Sequence, residues 1–150
     1  MSATHPIIAV TGSSGAATTS VMRTFEQIFR RERVTAAFIE GDSFHRYDRA
    51  TMKQKMADAL SRGEHRFSHF GPDANLFEEL EGLFNNYGLT GRGKHRKYLH
   101  DEQEAARYGA EPGTFTEWEE LPQDTDVLFY EGLHGAAACG DIDVARHVDL

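Results

Sequence analysis

A short apolar run, Ile7-Ile8-Ala9-Val10, leads without polar alternation into Gly12-Ser13-Ser14-Gly15 and then into a helical repeat. Few folds accept that order. A strand with no polar face must be covered on both sides, as in a parallel sheet flanked by helices. Pro6 and Gly12 bound the run. From Thr19 onward, Val21, Met22, Phe25, Ile28 and Phe29 recur at helical spacing, and Arg30 and Arg31 place positive charge where the helix dipole favours it. A second apolar, β-prone run, Val34 to Ile39, ends at Gly41-Asp42. Strand, helix and strand make a right-handed crossover that returns the second strand parallel to the first. Both strands then end on one rim of the sheet.

Farther along, Met52, Met56 and Leu60 mark a helix, and Leu76, Phe77, Leu80, Leu83, Phe84 and Tyr87 mark a stronger one that Gly88 is expected to stop. A short helix capped by Asp101 and ended by Gly109 follows in an otherwise polar segment. Val127 to Tyr130 reads as a third buried strand, followed by Glu131-Gly132-Leu133-His134-Gly135. A length of 150 residues suits one core. The net charge of −8 argues against a generic nucleic-acid or membrane-surface binder. No signal segment and no membrane-spanning apolar run is present, and the single Cys139 has no internal partner, so a cytoplasmic, reducing setting is expected.

The stretch GSSGAATTS, residues 12 to 20, resembles a phosphate-binding loop, G-x-x-x-x-G-K-[ST], with Ala17 at the second glycine and Thr18 at the lysine. Its place between a strand and a helix lets backbone N–H groups and the positive helix end receive a phosphate. The candidates for nucleotide contact are Gly12, Ser13, Ser14, Gly15, Ala16, Ala17, Thr18, Thr19 and Ser20, and Thr19 holds the position that usually coordinates Mg²⁺. If position 17 needs a positive φ, alanine there costs about 1–2 kcal/mol.

Asp42, just past the second strand, is placed to accept the proton of an attacking hydroxyl, or else to cap the segment that follows. Glu131, just past the third, is placed to serve Mg²⁺, or else to face solvent. Two islands of basic residues suit a sugar phosphate in so acidic a chain. One comprises His45, Arg46, Arg49 and Lys53; the other comprises Arg92, Lys94, Arg96 and Lys97 with Tyr98 and His100. His65 and His69 lack a metal-binding signature, and nothing marks Cys139 as a nucleophile.

Together HPIIAVTGSSGA, FIEGDSFHRYDRATMK, RFSHFGPDANLFEELE, the stretch from GLTGRGKHRKYLHDEQEAARYG to PGTFTEW, and LFYEGLHG resemble the bacterial form of phosphoribulokinase over nearly the whole chain. The resemblance implies a P-loop NTPase-type α/β fold, a parallel sheet flanked by helices, in which residues 1–150 are the N-terminal part of one kinase domain. It implies transfer of the γ-phosphate of ATP, with Mg²⁺, to the 1-hydroxyl of ribulose 5-phosphate in the Calvin cycle. Within the matched motifs Asp42 would be the catalytic base and Glu131 would serve Mg²⁺–ATP. His45 and Arg49 would hold the sugar phosphate, with Lys53, Tyr98 and His100 assisting, and Arg31 would belong to a site where NADH is an effector. Relatives form homo-oligomers. Thr18 conforms to the family, whereas Ala17 replaces its glycine, which bears on nucleotide affinity. Ala16 stands where the plant type has a regulatory cysteine, so thiol control is not expected. Full-length relatives continue past the position of Leu150 with a lid-like region, so the chain is expected to be a truncated kinase. Another small-metabolite kinase, for uridine or pantothenate, and a non-catalytic nucleotide-binding fragment are the alternatives.

Overall fold

The computed structural model describes residues 4–13 and 18–150. The loop candidates Ser14, Gly15, Ala16 and Ala17 lie outside the described residues. Strand β1 (Ile7–Thr11) leads to helix α1 (Thr18–Glu32), and strand β2 (Ala36–Glu40) leads through a 3₁₀ turn, Gly41–Phe44, to helix α2 (Arg49–Ser61). Helix α3 (Phe77–Thr90), strand β3 (Lys94–His95), helix α4 (Glu102–Arg107) and strand β4 (Glu119–Glu120) precede the long strand β5 (Val127–Gly132). Two short strands, β6 (Ala138–Cys139) and β7 (Ile142–Asp143), and a 3₁₀ turn, Ala145–His147, follow. None of the described helices is long and apolar enough to cross a membrane.

The main sheet has the order β1-β5-β2, with both pairings parallel. The strand expected third in sequence is therefore the central one, separating the two strands of the first crossover. Its apolar run explains the position: Val127, Leu128, Phe129 and Tyr130 are all buried, as a strand covered on both faces requires. In register, Val10 and Glu40 both pair with Glu131, so the three strands end together at one rim.

Alternate residues of β5 feed different cores. Leu128 and Tyr130 join Ile7, Ala37 and Ile39 against Leu80, Leu83, Phe84 and Tyr87 of α3. Val127 and Phe129 face α1, where Phe25 and Phe29 close on the Phe129 ring at 4.8 and 5.8 Å. Burying each such side chain stabilises the fold by roughly 1.5–3 kcal/mol.

The helix ends correct the sequence reading at two points. Helix α3 runs through Gly88 and stops at Gly91, whose φ of 70° and N–H to the Tyr87 carbonyl at 2.7 Å make the left-handed cap. A glycine inside a helix costs about 1 kcal/mol but does not break it; the stop lies where the backbone turns left-handed. In α2, capped by Asp48 accepting from the Thr51 N–H at 2.8 Å, Met52 is buried but Leu60 is 62% exposed, so the apolar stripe is not core to its end. Helix α4 is capped by Asp101, and Gly109 follows at φ 61°, as expected. The pairings β3–β4 and β6–β7 carry too few residues for periodicity to show them.

Candidate active site

The carboxyl rim of the sheet opens into a cleft of about 690 Å³, and Gly12, Ser13, Thr18, Thr19, Asp42 and Glu131 all contribute to its wall. Two glycines bring the strand ends together there. A β-carbon on Gly41 would stand 2.5 Å from Tyr130 Oη and 3.0 Å from Gly132 Cα, and one on Gly132 would stand 2.8 Å from Gly41 Cα. Only bare backbone lets the turn carrying Asp42 approach the end of β5 so closely.

Asp42 lies in the turn after β2 between two imidazoles. His100 Nε2 stands 2.9 Å from Oδ2, and His45 Nε2 stands 3.4 Å from Oδ1. The hydrogen bond from His100, then that from His45, hold the Asp42 carboxyl well below the usual carboxylate range despite partial burial. His100 is pushed up to about 9, chiefly by Asp42, against burial and with help from Glu104, whose Oε2 lies 3.1 Å from Nδ1. With a carboxylate at each ring nitrogen, His100 carries both protons.

His45 is oriented towards Asp42 by a different partner. The buried Asn75 donates its amide to the His69 and Gly71 carbonyls at 2.8 and 2.9 Å, so its oxygen is left to accept from His45 Nδ1 at 3.0 Å. Nδ1 therefore holds a proton, and Nε2 faces the Asp42 carboxylate at 3.4 Å. Burial weighs most heavily and opposes the charged form, yet Asp42 and Asn75 together keep the His45 pKa above its ordinary value.

Beside the cleft, a cavity of about 380 Å³ is lined by His45, Arg49, Lys53 and Tyr98 with Met52 and Met56. His45 lines both spaces, so the residues expected to bind a sugar phosphate adjoin Asp42. Tyr98 meets the His45 and His100 rings edge-on at 5.8 and 4.9 Å. Arg49 donates to the His100 carbonyl at 2.8 Å and is pressed by Gly113, where a β-carbon would stand 2.7 Å from its own Cβ.

The basic islands divide. Arg96, from the second, packs its guanidinium 3.6 Å from the Phe115 ring centre and 4.6 Å from that of Trp118. It donates to the Ser43 and His45 carbonyls at 2.8 and 2.7 Å and so braces the Asp42 turn. Arg46 pairs with Glu78 at 2.8 Å, and Lys94 with Glu120 at 3.9 Å. Arg31 pairs with Glu32 near the far end of α1, about 18 Å along the helix from Thr19 at 1.5 Å per residue, and does not line the cleft.

Several residues at the site escaped the sequence reading. Glu40, the last residue of β2, faces the cleft and has its pKa raised by burial; it precedes Gly41-Asp42, the same strand-end signal that flags Asp42. Asn75 acts on His45 from 30 residues away, which no local pattern reveals, whereas Glu104 lies only four residues past His100. His69 lines both spaces, and the segment holding it and His65 is irregular, so their spacing has no helical meaning. Among the described residues no group of three or more His, Cys, Asp or Glu is arranged to hold a metal ion. The Thr19 hydroxyl and Glu131 carboxylate are nevertheless the hard oxygen donors that suit Mg²⁺, which commonly takes one or two protein ligands and completes its shell with phosphate and water.

Comparison with known proteins places the chain among kinases. The family model for the phosphoribulokinase / uridine kinase family matches residues 7–150. The phosphoribulokinase of Nitrobacter vulgaris is 60% identical over 146 residues, 97% of this chain and 50% of that protein. The chromosomal phosphoribulokinase of Cupriavidus necator is 63% identical over 150 residues, 100% of this chain and 51% of that protein. The solved phosphoribulokinase from Rhodobacter spheroides superposes with a TM-score of 0.86 at 47% identity, over 98% of this chain and 50% of that one. The chain spans about half the length of the relatives it matches.

Proposed function

Because the chain belongs to the phosphoribulokinase / uridine kinase family, we propose that it serves the ATP-dependent phosphorylation of ribulose 5-phosphate to ribulose 1,5-bisphosphate. The observation that carries this reading is the junction of two spaces: a cleft walled by Thr19, Asp42 and Glu131 opens beside a cationic cavity walled by His45, Arg49 and Lys53. A phosphorylated sugar anchored in the second presents a hydroxyl to the first.

Each residue then has a chemical task. The amide groups of the loop near Gly12 and the start of α1 receive the nucleotide phosphates. Thr19 and Glu131 would hold Mg²⁺, which would neutralise the charge of the phosphoryl group that ATP supplies. Arg49, His45 and Lys53 bind the dianionic sugar phosphate, while Tyr98 holds the two imidazoles apart.

Asp42 accepts the hydroxyl proton, and its setting regulates how well. Between the His100 and His45 rings the carboxylate is a weak base, since both stabilise its charged form. A phosphate dianion at His45 and Arg49 competes for the His45 proton donor, loosens that grip and raises the basicity of Asp42 when substrate arrives. Proximity does the rest, by holding hydroxyl and phosphoryl group in line.

Incubating the protein with Mg²⁺–ATP and ribulose 5-phosphate, and following ribulose 1,5-bisphosphate by ³¹P NMR, tests the proposal. Product that vanishes in Asp42→Asn supports it. Phosphorylation of uridine with none of ribulose 5-phosphate would replace the acceptor, and nucleotide binding without either product would make this a binding chain.

A further inference from the structure

We propose that Glu104 is a positioning residue, which orients the His100 ring so that Nε2 faces Asp42. One oxygen, Oε2, accepts from two donors of the same residue: the His100 backbone N–H at 2.9 Å and ring Nδ1 at 3.1 Å. A partly exposed histidine held only by Asp42 could turn over and offer either nitrogen. A carboxylate that grips main chain and ring together removes that freedom, so Nε2 points to Asp42 at 2.9 Å.

Glu104 is itself placed by local structure. Its N–H donates to the capping Asp101 side chain at 2.8 Å, which sets the first turn of α4, and its carboxylate reaches back past the cap to residue 100. A capping box accounts for a bond to backbone near the cap, but not for the bond to the ring. The charged and titratable groups around His100 are Asp42 from the turn after β2, Glu104 from α4, and Glu40, His45 and Lys97 nearby, while Arg49 meets its carbonyl. Carboxylates occupy both ring nitrogens, so removing Glu104 weakens the hold on the imidazolium and takes away the fixed partner of Nδ1.

Glu104 matters to phosphoryl transfer only if the kinase reading holds, but the contact is testable without nucleotide or sugar. The ring nitrogens of His100 and His45 are followed by ¹⁵N NMR against pH in the wild type and in Glu104→Gln, Glu104→Ala and Asp101→Ala. Glu104→Gln keeps an acceptor without charge, and the His100 midpoint should fall by about 1 unit from the wild-type value while the ring stays in one tautomer. Glu104→Ala should lower it as well and populate both tautomers. Asp101→Ala removes the cap that sets the first turn of α4 but keeps the Glu104 carboxylate, so it should move the His100 midpoint less than the Glu104 variants do. An unchanged His100 titration in Glu104→Gln, or an Asp101→Ala shift as large as that of the Glu104 variants, would overturn the assignment. Should Glu104→Ala fail to fold, Glu104→Gln decides by the same readout. No phosphorylation of ribulose 5-phosphate by the wild-type chain, with the expected titrations intact, would refute the kinase reading and leave the Glu104 contact standing.

Discussion

Replacing Gly41 by alanine adds one methyl group at the tightest point of the rim. Its carbon would lie 2.5 Å from Tyr130 Oη, 3.1 Å from Tyr130 Cζ and 3.0 Å from Gly132 Cα. Neither neighbour can yield cheaply. Tyr130 is fully buried, and its hydroxyl accepts the His134 N–H at 3.2 Å, while Gly132 is backbone in the central strand. Overpacking of this kind costs about 1–3 kcal/mol. Tyr130→Phe removes the nearest atom and by itself forfeits a hydrogen bond worth about 1 kcal/mol. With the hydroxyl gone the nearest remaining contacts are at 3.0 and 3.1 Å, so the double variant should be more stable than the sum of the single losses by about 1 kcal/mol or more. Urea unfolding followed by the fluorescence of Trp118, the one tryptophan, measures all four proteins. A Gly41→Ala protein as stable as the wild type, or losses that add to within about 0.5 kcal/mol, would refute the steric account.

Three further outcomes are expected. The His100 pKa is raised from 6.5 to about 9, so its ion pairs contribute fully below 6.5 and are lost as pH rises through 9; the urea midpoint should fall across that interval in the wild type and less in His100→Gln. With His100 40% exposed, solvent screening keeps that loss to about 1 kcal/mol or less. Phe129→Ala empties the space between Phe25, Phe29 and Phe38 and should cost about 3–5 kcal/mol in the same unfolding assay. Arg96→Lys should weaken ribulose 5-phosphate binding measured by calorimetry almost as much as Arg96→Ala, because an ammonium cannot reproduce both the stacking on two rings and the two carbonyl bonds that brace His45.

What the sequence disclosed and what it hid follow one physical division. The runs Ile7 to Val10, Val34 to Ile39 and Val127 to Tyr130 disclose three strands because each lacks a polar face. The residues just past them, Asp42 and Glu131, are then committed to the same rim by the parallel handedness of the connections. The order of the strands is hidden, because it depends on which run is buried on both faces over its whole length, and that is a property of the packed sheet. Charge is harder to read than apolarity. Arg49 and Arg96 look alike in sequence, yet Arg49 lines a cavity while Arg96 is sandwiched between aromatic rings that arrive from residues 115 and 118.

The partners of the two histidines belong to the same class. Nothing local marks Asn75, which acts on a ring 30 residues away, whereas Glu104 sits four residues past His100 in a capping pattern that the sequence shows without showing the ring contact. Their effect on the chemistry is orientation: an acceptor at Nδ1 of each ring holds that nitrogen's proton and turns Nε2 towards Asp42. The setting of one carboxylate in the turn after β2 thus depends on two side chains that do not touch it, acting through the rings that do. A search for catalytic residues confined to strand ends finds the base and misses what determines its strength.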